Sequence, residues 1–391
     1  MFKSGSSALR KRRLYVVSFA AGFGTALVCV AFIMHVILGG RLISQHKLDR
    51  YVAVDDEFGQ YYDMERLISS KSYYKRNSEG TGKLIAGGIL KTVDDKYAEY
   101  MTGKEYDAFE RRYLSSYSGV GVVLKMDENN RIVVSRVLAG SDAERSGITS
   151  GDILLKIDSK NVKSLEDAGN LMNDAAGSEI EFTISRSGVV KEYKLNRSKV
   201  EDDGITYDVK DSAAHIGYVR ISTFRKGTAK AFRSAVSALK AKGCDKVVID
   251  LRGNTGGVVE EAFDTADEVL GKAKLGRIIS KSKTKTYSSD SKSQSVNVVV
   301  LVDGDTASAA EIFAAAVKAN EVKIVGSRTY GKGVIQTVFK LKGGAVVKLT
   351  TAEYVDPDGK KINNKGIEPD IKADSGEQAE GEAIRILTGK Q

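Results

Sequence analysis

In VVVLVDGDTASAAEIFAAAVKA an apolar run ends at Asp303-Gly304-Asp305, and Thr306-Ala307-Ser308 opens a helix with Glu311 three positions after the serine. Taken alone, Ser308 and Glu311 form a capping box, the ordinary role of an isolated serine at a helix start. The same position sets a hydroxyl beside unpaired backbone amides and the positive end of a helix dipole. Those are the features an acyl-transfer nucleophile needs for its oxyanion.

Such a serine requires a base. His215 opens the strand IGYVRISTF, where a structural place at a strand edge is the default, so a Ser-His-Asp triad would depend on an unpromising residue. A lysine serves instead if its pKa falls from about 10.4 toward 7 or 8, a shift costing about 4 kcal/mol, and burial achieves this. Lys332 stands between Gly331 and Gly333, with apolar strands on either side. A third stretch, KVVIDLRGNTGGVVEEA, reads as a strand ending in Arg252-Gly253-Asn254-Thr255-Gly256-Gly257 before a helix. Its plain reading is a tight turn; next to Ser308 its glycines would point a second amide at an oxyanion.

Other chemistries are excluded by what is missing. Gly326, Gly331 and Lys332 share the spacing of a phosphate-binding loop, but Gly333 stands where Ser or Thr would hold magnesium, and VIQTVFKL reads as a strand, not a helix. Ser-x-x-Lys occurs at Ser72, Ser237, Ser280 and Ser289, none in a glycine-flanked strand-to-helix turn, so each is read as a surface serine. Three His and two Cys supply neither a zinc site of the usual spacing nor a disulfide framework, and no metal or cofactor is expected.

The elements that must position these residues follow from patterning. From IGYVRISTF onward, strands and helices alternate through KAFRSAVSALKA, KVVIDLRG, EEAFDTADEVL, VNVVVLVDG, AAEIFAAAVKA and VKIVGS, which predicts an α/β layer structure over 199–391. Asp358-Gly359 marks a turn near its end. Residues 116–198 hold short β-like runs, with Ser187-Gly188 as a hairpin turn, and predict a small β-rich domain. Residues 45–115 carry helical periodicity, as in Leu84, Ile85, Ile89, Leu90 and Val93, interrupted by a polar stretch at 77–82, and predict two or three helices.

At 391 residues the chain has room for two or three domains, and 42% apolar with 28% charged residues makes it globular. The formal charge of +9 is concentrated: the first 50 residues hold eight Lys/Arg against one acid, leaving 52 bases and 50 acids elsewhere. That near balance argues against a nucleic-acid partner. Residues 14–40 run without a formal charge after Arg10-Lys11-Arg12-Arg13. A spanning helix needs about 20 residues. The positive-inside rule then sets 1–13 in the cytoplasm and the rest outside a cell membrane. The stretch exceeds the roughly 7 to 15 apolar residues of a cleavable signal and lacks its A-x-A site, so an uncleaved anchor is expected.

Four segments in order, DLRGNTGG, DGDTASAAEI, VGSRTYGKGVIQT and GIEPDI at 366–371, resemble the carboxy-terminal processing peptidases, or tail-specific proteases. The resemblance runs from about residue 45 to 371. It implies an α/β, mixed-sheet serine peptidase core with an inserted PDZ domain and a helical segment before it. Carried over by position, it implies Ser308 as nucleophile, Lys332 as general base, Gln336 as holder of the lysine amine, and the amides of Gly256 and Ala309 as oxyanion hole. Ala310 stands where the family commonly has a further Ser. YSGVGVVL and GSDAERSGITSGDILLKIDSKNV resemble a PDZ domain, whose carboxylate-binding loop would be Ser118, Gly119, Val120, Gly121 and Val122. The implied partners are proteins with accessible C-terminal tails, and a second copy of the chain joined through the terminal segments. A peptide-binding scaffold without turnover is the rival from another class; loss of Ser308, Lys332 or Gln336 would favour it, and all three are present.

Overall fold

A computed structural model describes residues 5–37, 44–74, 80–111, 116–138, 140–172 and 177–389. Lys3, Arg41, residues 38–40 of the apolar run and residues 77–79 of the polar break lie outside that set. The chain divides into two compact units, 1–80 and 81–391.

The first unit contains α1 (Gly5–Ile37) and α2 (Gln45–Lys71). Within α1, Lys11–His35 is long and apolar enough to cross a membrane. α2 stops at Ser72, whose N–H donates to Ile68 O at 3.1 Å while its extended backbone ends the helical path.

The second unit opens with α3 (Thr81–Leu90), β1 (Glu99–Met101) and α4 (Gly103–Arg111). The β-rich domain follows as β2 (Ser116–Gly119), β3 (Val122–Met126), β4 (Ile132–Val137), α5 (Asp142–Arg145), β5 (Ile153–Ile157), β6 (Lys160–Asn161), α6 (Leu165–Met172), β7 (Glu179–Arg186), β8 (Val189–Asn196) and β9 (Ser198–Glu201). Strand order is β3-β4-β5-β7-β8, with β6 on β5, around a core that includes Val134, Ile157, Phe182 and Leu195. Ser187 and Gly188, both at positive φ, make the β7–β8 turn, the conformation a two-residue hairpin loop requires. The strands entering and leaving the domain, β2 and β9, pair with each other. Just beyond them the buried Asp202 accepts from Arg136 of β4 at 2.9 Å and faces Arg225 at 3.3 Å.

The last part comprises β10 (Ile205–Asp211), β11 (Ile216–Ile221), α7 (Thr228–Ala241), β12 (Lys246–Asp250), α8 (Val259–Val269), β13 (Lys274–Ser280), β14 (Thr284–Ser288), β15 (Asn297–Val302), α9 (Ala309–Lys318), β16 (Lys323–Gly326), β17 (Val334–Lys340), β18 (Val346–Val355), β19 (Ile371–Lys372) and α10 (Gly376–Thr388). One sheet runs β10-β11-β12-β15-β16-β19, parallel from β11 onward. Its strands are apolar on both sides because both faces are covered. Val247 and Ile249 join the core formed with α7, α8 and α9, whereas Val248 joins the one under α10. A second, antiparallel sheet places β18 between β1 and β13, with β14 beyond and β17 also on β18. This is the mixed α/β core expected from the sequence.

Candidate active site

The carboxyl ends of β12 and β15 lie side by side, Asp250 opposite Leu301, and the loops leaving them meet. After β15 the Asp303 carboxylate accepts from Thr306 N–H at 2.9 Å and from Gly253 N–H, tying one loop to the other. Thr306 Oγ1 donates to Leu251 O at 3.0 Å and Ala307 N–H to Asn254 O at 2.9 Å. Between these anchors and α9 stands Ser308 at φ 58°, ψ −120°. A non-glycine residue at positive φ costs about 1 to 3 kcal/mol and persists only where its neighbours over-determine it. Such a strand-to-helix turn thrusts a serine hydroxyl out at the head of a helix.

Gly256 touches this turn from the other loop. It has φ +109°, and a Cβ there would lie 2.8 Å from Ala307 O and from Ser308 Cβ and 3.0 Å from Ala309 N, so no side chain fits. Its amide, expected to serve the oxyanion hole, is committed elsewhere: Gly256 N–H donates to Asn254 Oδ1 at 2.8 Å, while Asn254 is wholly buried and donates to Ile221 O. An Asn two residues back closes a local turn on its own chain. The amides of Gly257 and Ala309 make no hydrogen bond to a described residue.

Below the loops Asp250 is wholly buried and accepts from Tyr218 Oη, from Arg220 at 2.8 Å and from Arg252 at 2.8 and 3.0 Å. Burial works to raise its pKa, but the bonds from Arg252 and Tyr218 and the charge of Arg220 outweigh it, holding the carboxyl below its ordinary value. Burial, aided by this carboxylate, pushes Tyr218 up to about 12. Arg252 also reaches Glu380 of α10 at 2.8 Å and thereby fixes the DLRGN turn to the far side of the sheet.

Lys332 lies in the segment from β16 to β17, half-buried. Its backbone N–H donates to Glu311 Oε2 at 2.7 Å; that oxygen also accepts Ser308 N–H at 2.9 Å. Glu311 Oε1 accepts Thr329 Oγ1 and Gly331 N–H, each at 2.6 Å. One buried carboxylate therefore joins the serine turn to the lysine loop. The capping box accounts for only one of its bonds. Burial, reinforced by Lys348 and opposed by Glu311, lowers the Lys332 pKa from the ordinary lysine value. Among the described residues the amine makes no hydrogen bond and sits 4.7 Å from the centre of the Tyr97 ring. Gln336, expected to hold that amine, donates to Thr350 Oγ1 at 3.1 Å and to Val334 O at 3.5 Å.

His215 stands at the amino end of β11, its Nδ1 2.9 Å from Gly243 O, whereas Ser308 follows the carboxyl end of β15, on the other side of β12. A parallel strand separates the two. In the β-rich domain β3 is an edge strand with one side open, and α6 packs near it. Gly121 turns the chain into β3 at φ +88°, where a Cβ would meet Ser141 Cβ at 2.0 Å, and Val120 is buried. Gly119 pairs with Ser198 and Ser118 with Lys199. Val122 begins the open strand.

A family model described as peptidase family S41 matches residues 215–373, and one described as PDZ domain matches 133–186. The carboxy-terminal processing protease CtpA of Bacillus subtilis (strain 168) is 30% identical over 360 residues, 90% of this chain and 75% of that one. The chain belongs to peptidase family S41. A protein named "Probable CtpA-like serine protease" from Staphylococcus aureus (strain MRSA252) is 27% identical over 380 residues, 95% of this chain and 75% of its own. A crystal structure from Bacteroides fragilis NCTC 9343, named as an S41 protease, has a TM-score of 0.54 at 15% identity and covers 82% of this chain and 93% of its own. That likeness concerns the fold.

The S41 site contains groups that patterning did not single out as chemistry. Glu311 carried a signal, since a carboxylate within AAEIFAAAV, a helix otherwise buried and apolar, must find several donors. Tyr97 and Asp95 carried none, because they meet Thr350 and Lys332 of the S41 core only across the inserted PDZ domain.

Proposed function

We propose that this S41 peptidase is a membrane-anchored serine endopeptidase with a Ser308–Lys332 dyad, acting on proteins whose C-terminal tails its PDZ domain captures. In this reading residues 14–40 anchor the chain with its N-terminus in the cytoplasm, 45–115 precede the PDZ domain of 116–198, and 199–391 cut. The observation that carries the dyad is Glu311, whose single carboxylate accepts the backbone amides of both Ser308 and Lys332.

A tail adds as a strand to the open edge of β3, its carboxylate met by backbone amides of the loop from Ser118 to Val122. At the cleavage point the neutral Lys332 amine takes the Ser308 hydroxyl proton while Oγ attacks the scissile carbonyl carbon. The oxyanion receives Ala309 N–H and a glycine amide of the 253–257 turn; Gly257 is the free one while Asn254 holds Gly256. The Lys332 ammonium gives its proton to the departing amine, leaving an acyl-enzyme on Ser308. Lys332 then takes a proton from water, whose oxygen attacks the ester carbonyl, and returning that proton to Oγ releases the new carboxyl terminus. Gln336, four residues after Lys332, is the group that would hold the amine during these steps.

Ser308→Ala and Lys332→Ala should each lower kcat/KM on a tail-derived fluorogenic peptide by at least about a thousandfold. Both should still bind a peptide ending in a free carboxylate. Turnover that survives Ser308→Ala overturns the assignment, and binding without turnover in the unaltered chain favours a scaffold. A base that must be neutral predicts a rate that rises with pH, read from the pH profile of kcat/KM.

A further inference from the structure

The contact that occupies the Lys332 amine comes from a segment more than 200 residues earlier in the chain, brought close by the pairing of β1 with β18. Tyr97 lies in the turn between α3 and β1, its ring over the amine. Asp95 pins that turn: its carboxylate accepts Tyr97 N–H at 3.0 Å, Thr350 N–H at 2.8 Å and Thr350 Oγ1 at 2.9 Å. Thr350 Oγ1 in turn accepts the Gln336 amide. The turn that presents the ring thus also engages, through Thr350, the glutamine expected to hold the amine. The Tyr97 hydroxyl is buried without a partner among the described residues. That position is unfavourable unless something offsets it, and the attraction of a ring face for an ammonium does so.

We propose that Tyr97 is a positioning residue for Lys332: its ring holds the ammonium away from Ser308 in the free protein, and its displacement by an arriving substrate chain releases the amine to act as base. This rests on reading Lys332 as the base. A ring face favours the charged form, which cannot accept the serine proton. The unpartnered hydroxyl favours release, since a peptide backbone beside the amine offers the bond it lacks. The other charged groups acting on the amine are Lys348, itself 2.6 Å from Glu99, and Glu311 from α9; Asp95, on the tyrosine's own turn, is bonded to Tyr97 and Thr350. Lys348 opposes the ammonium; the ring and Glu311 favour it.

The test uses the full chain in detergent. Tyr97→Leu keeps apolar cover over the amine without a ring, and Tyr97→Phe keeps the ring without the hydroxyl; the Asp95 bond is to backbone and survives both. Two readouts are taken: the titration of Lys332 followed by carbon-13 NMR of its Cε in a Ser308→Ala background, assigned with Lys332→Arg, and the pH profiles of kcat/KM and kcat. Tyr97→Leu should move the Lys332 titration and the acid limb of kcat/KM to lower pH. It should raise kcat/KM at neutral pH about threefold to tenfold and leave the kcat profile in place. Tyr97→Phe should leave the titration unmoved. A Lys332 titration unmoved or raised by Tyr97→Leu overturns the proposal, even in an active enzyme. A titration that falls as expected in a chain that cleaves nothing supports the Tyr97 contact and overturns the dyad instead.

Discussion

The serine and the lysine lie on either side of Glu311 and are secured in different ways. On the serine side every constraint is short and buried: Asn254 and Leu251 fix Ala307 and Thr306, Gly256 closes against Ser308, and the Asp250–Arg252–Tyr218 cluster holds the turn from below. On the lysine side the backbone is equally fixed, but the amine meets only an aromatic ring. Donors aimed at a developing charge work best when they need no rearrangement. A base must exchange partners and change charge within one cycle, so a soft contact suits it. The difference teaches that, under the proposed dyad, control would act more readily through Lys332 than through Ser308.

Three substitutions would break or sharpen that contrast. The largest effect belongs to Glu311→Ala, which attacks the joint between the two sides. It strands three amides and a hydroxyl in the interior, at about 1 to 3 kcal/mol for each unmet group. Stability should fall by about 4 kcal/mol or more in denaturant titration, and activity should disappear. A stable, active variant would mean that the carboxylate joins nothing of consequence. Gly256→Ala comes next and loads only the rigid side. It forces a Cβ to 2.8 Å from Ala307 O at a positive φ, so about 1 to 3 kcal/mol of strain must be absorbed there. Because displacing reacting groups by about 1 Å costs about a hundredfold, kcat should fall at least that much while the acid limb of the pH profile stays in place. Lys348→Met should do the least to the fold and act only on the soft side. Lys348 forms a partly exposed pair with Glu99, worth under about 1 kcal/mol. Its charge helps to lower the Lys332 pKa, so its loss raises that pKa and shifts the acid limb to higher pH. Added salt should shrink the shift. A limb that moves with Gly256→Ala and not with Lys348→Met would invert the comparison.

What could be read in advance followed from local pattern. The strand, DGDT turn and helix around Ser308 could be recognised because a buried strand, a glycine turn and a small-residue helix each leave marks within a dozen residues. The strand after Lys332 was visible in its β-branched residues, and with it the reason the loop is no phosphate cradle. The second sheet was not, since β18 draws partners from β1, β13 and β17, which no local period encodes. The bond from the Gly256 amide to Asn254 was not legible either, because it depends on a neighbouring side chain whose rotamer no motif specifies. Tyr97 and Lys332 are drawn together by the same long-range pairing that brings β1 to β18.

That pairing also governs how the enzyme comes into being. Glu99 and Lys348 stand 249 positions apart. At about 5 to 20 residues per second, the segment bearing β1 waits on the order of ten seconds or more for its partner to be synthesised. The strands of the PDZ sheet, β3 to β8, are all synthesised by residue 196, whereas β18 and β19 of the S41 part begin only at residues 346 and 371. A nascent chain therefore carries every strand of its PDZ sheet before it has every strand of its S41 core. The cell that makes it is spared a working protease on every unfinished copy.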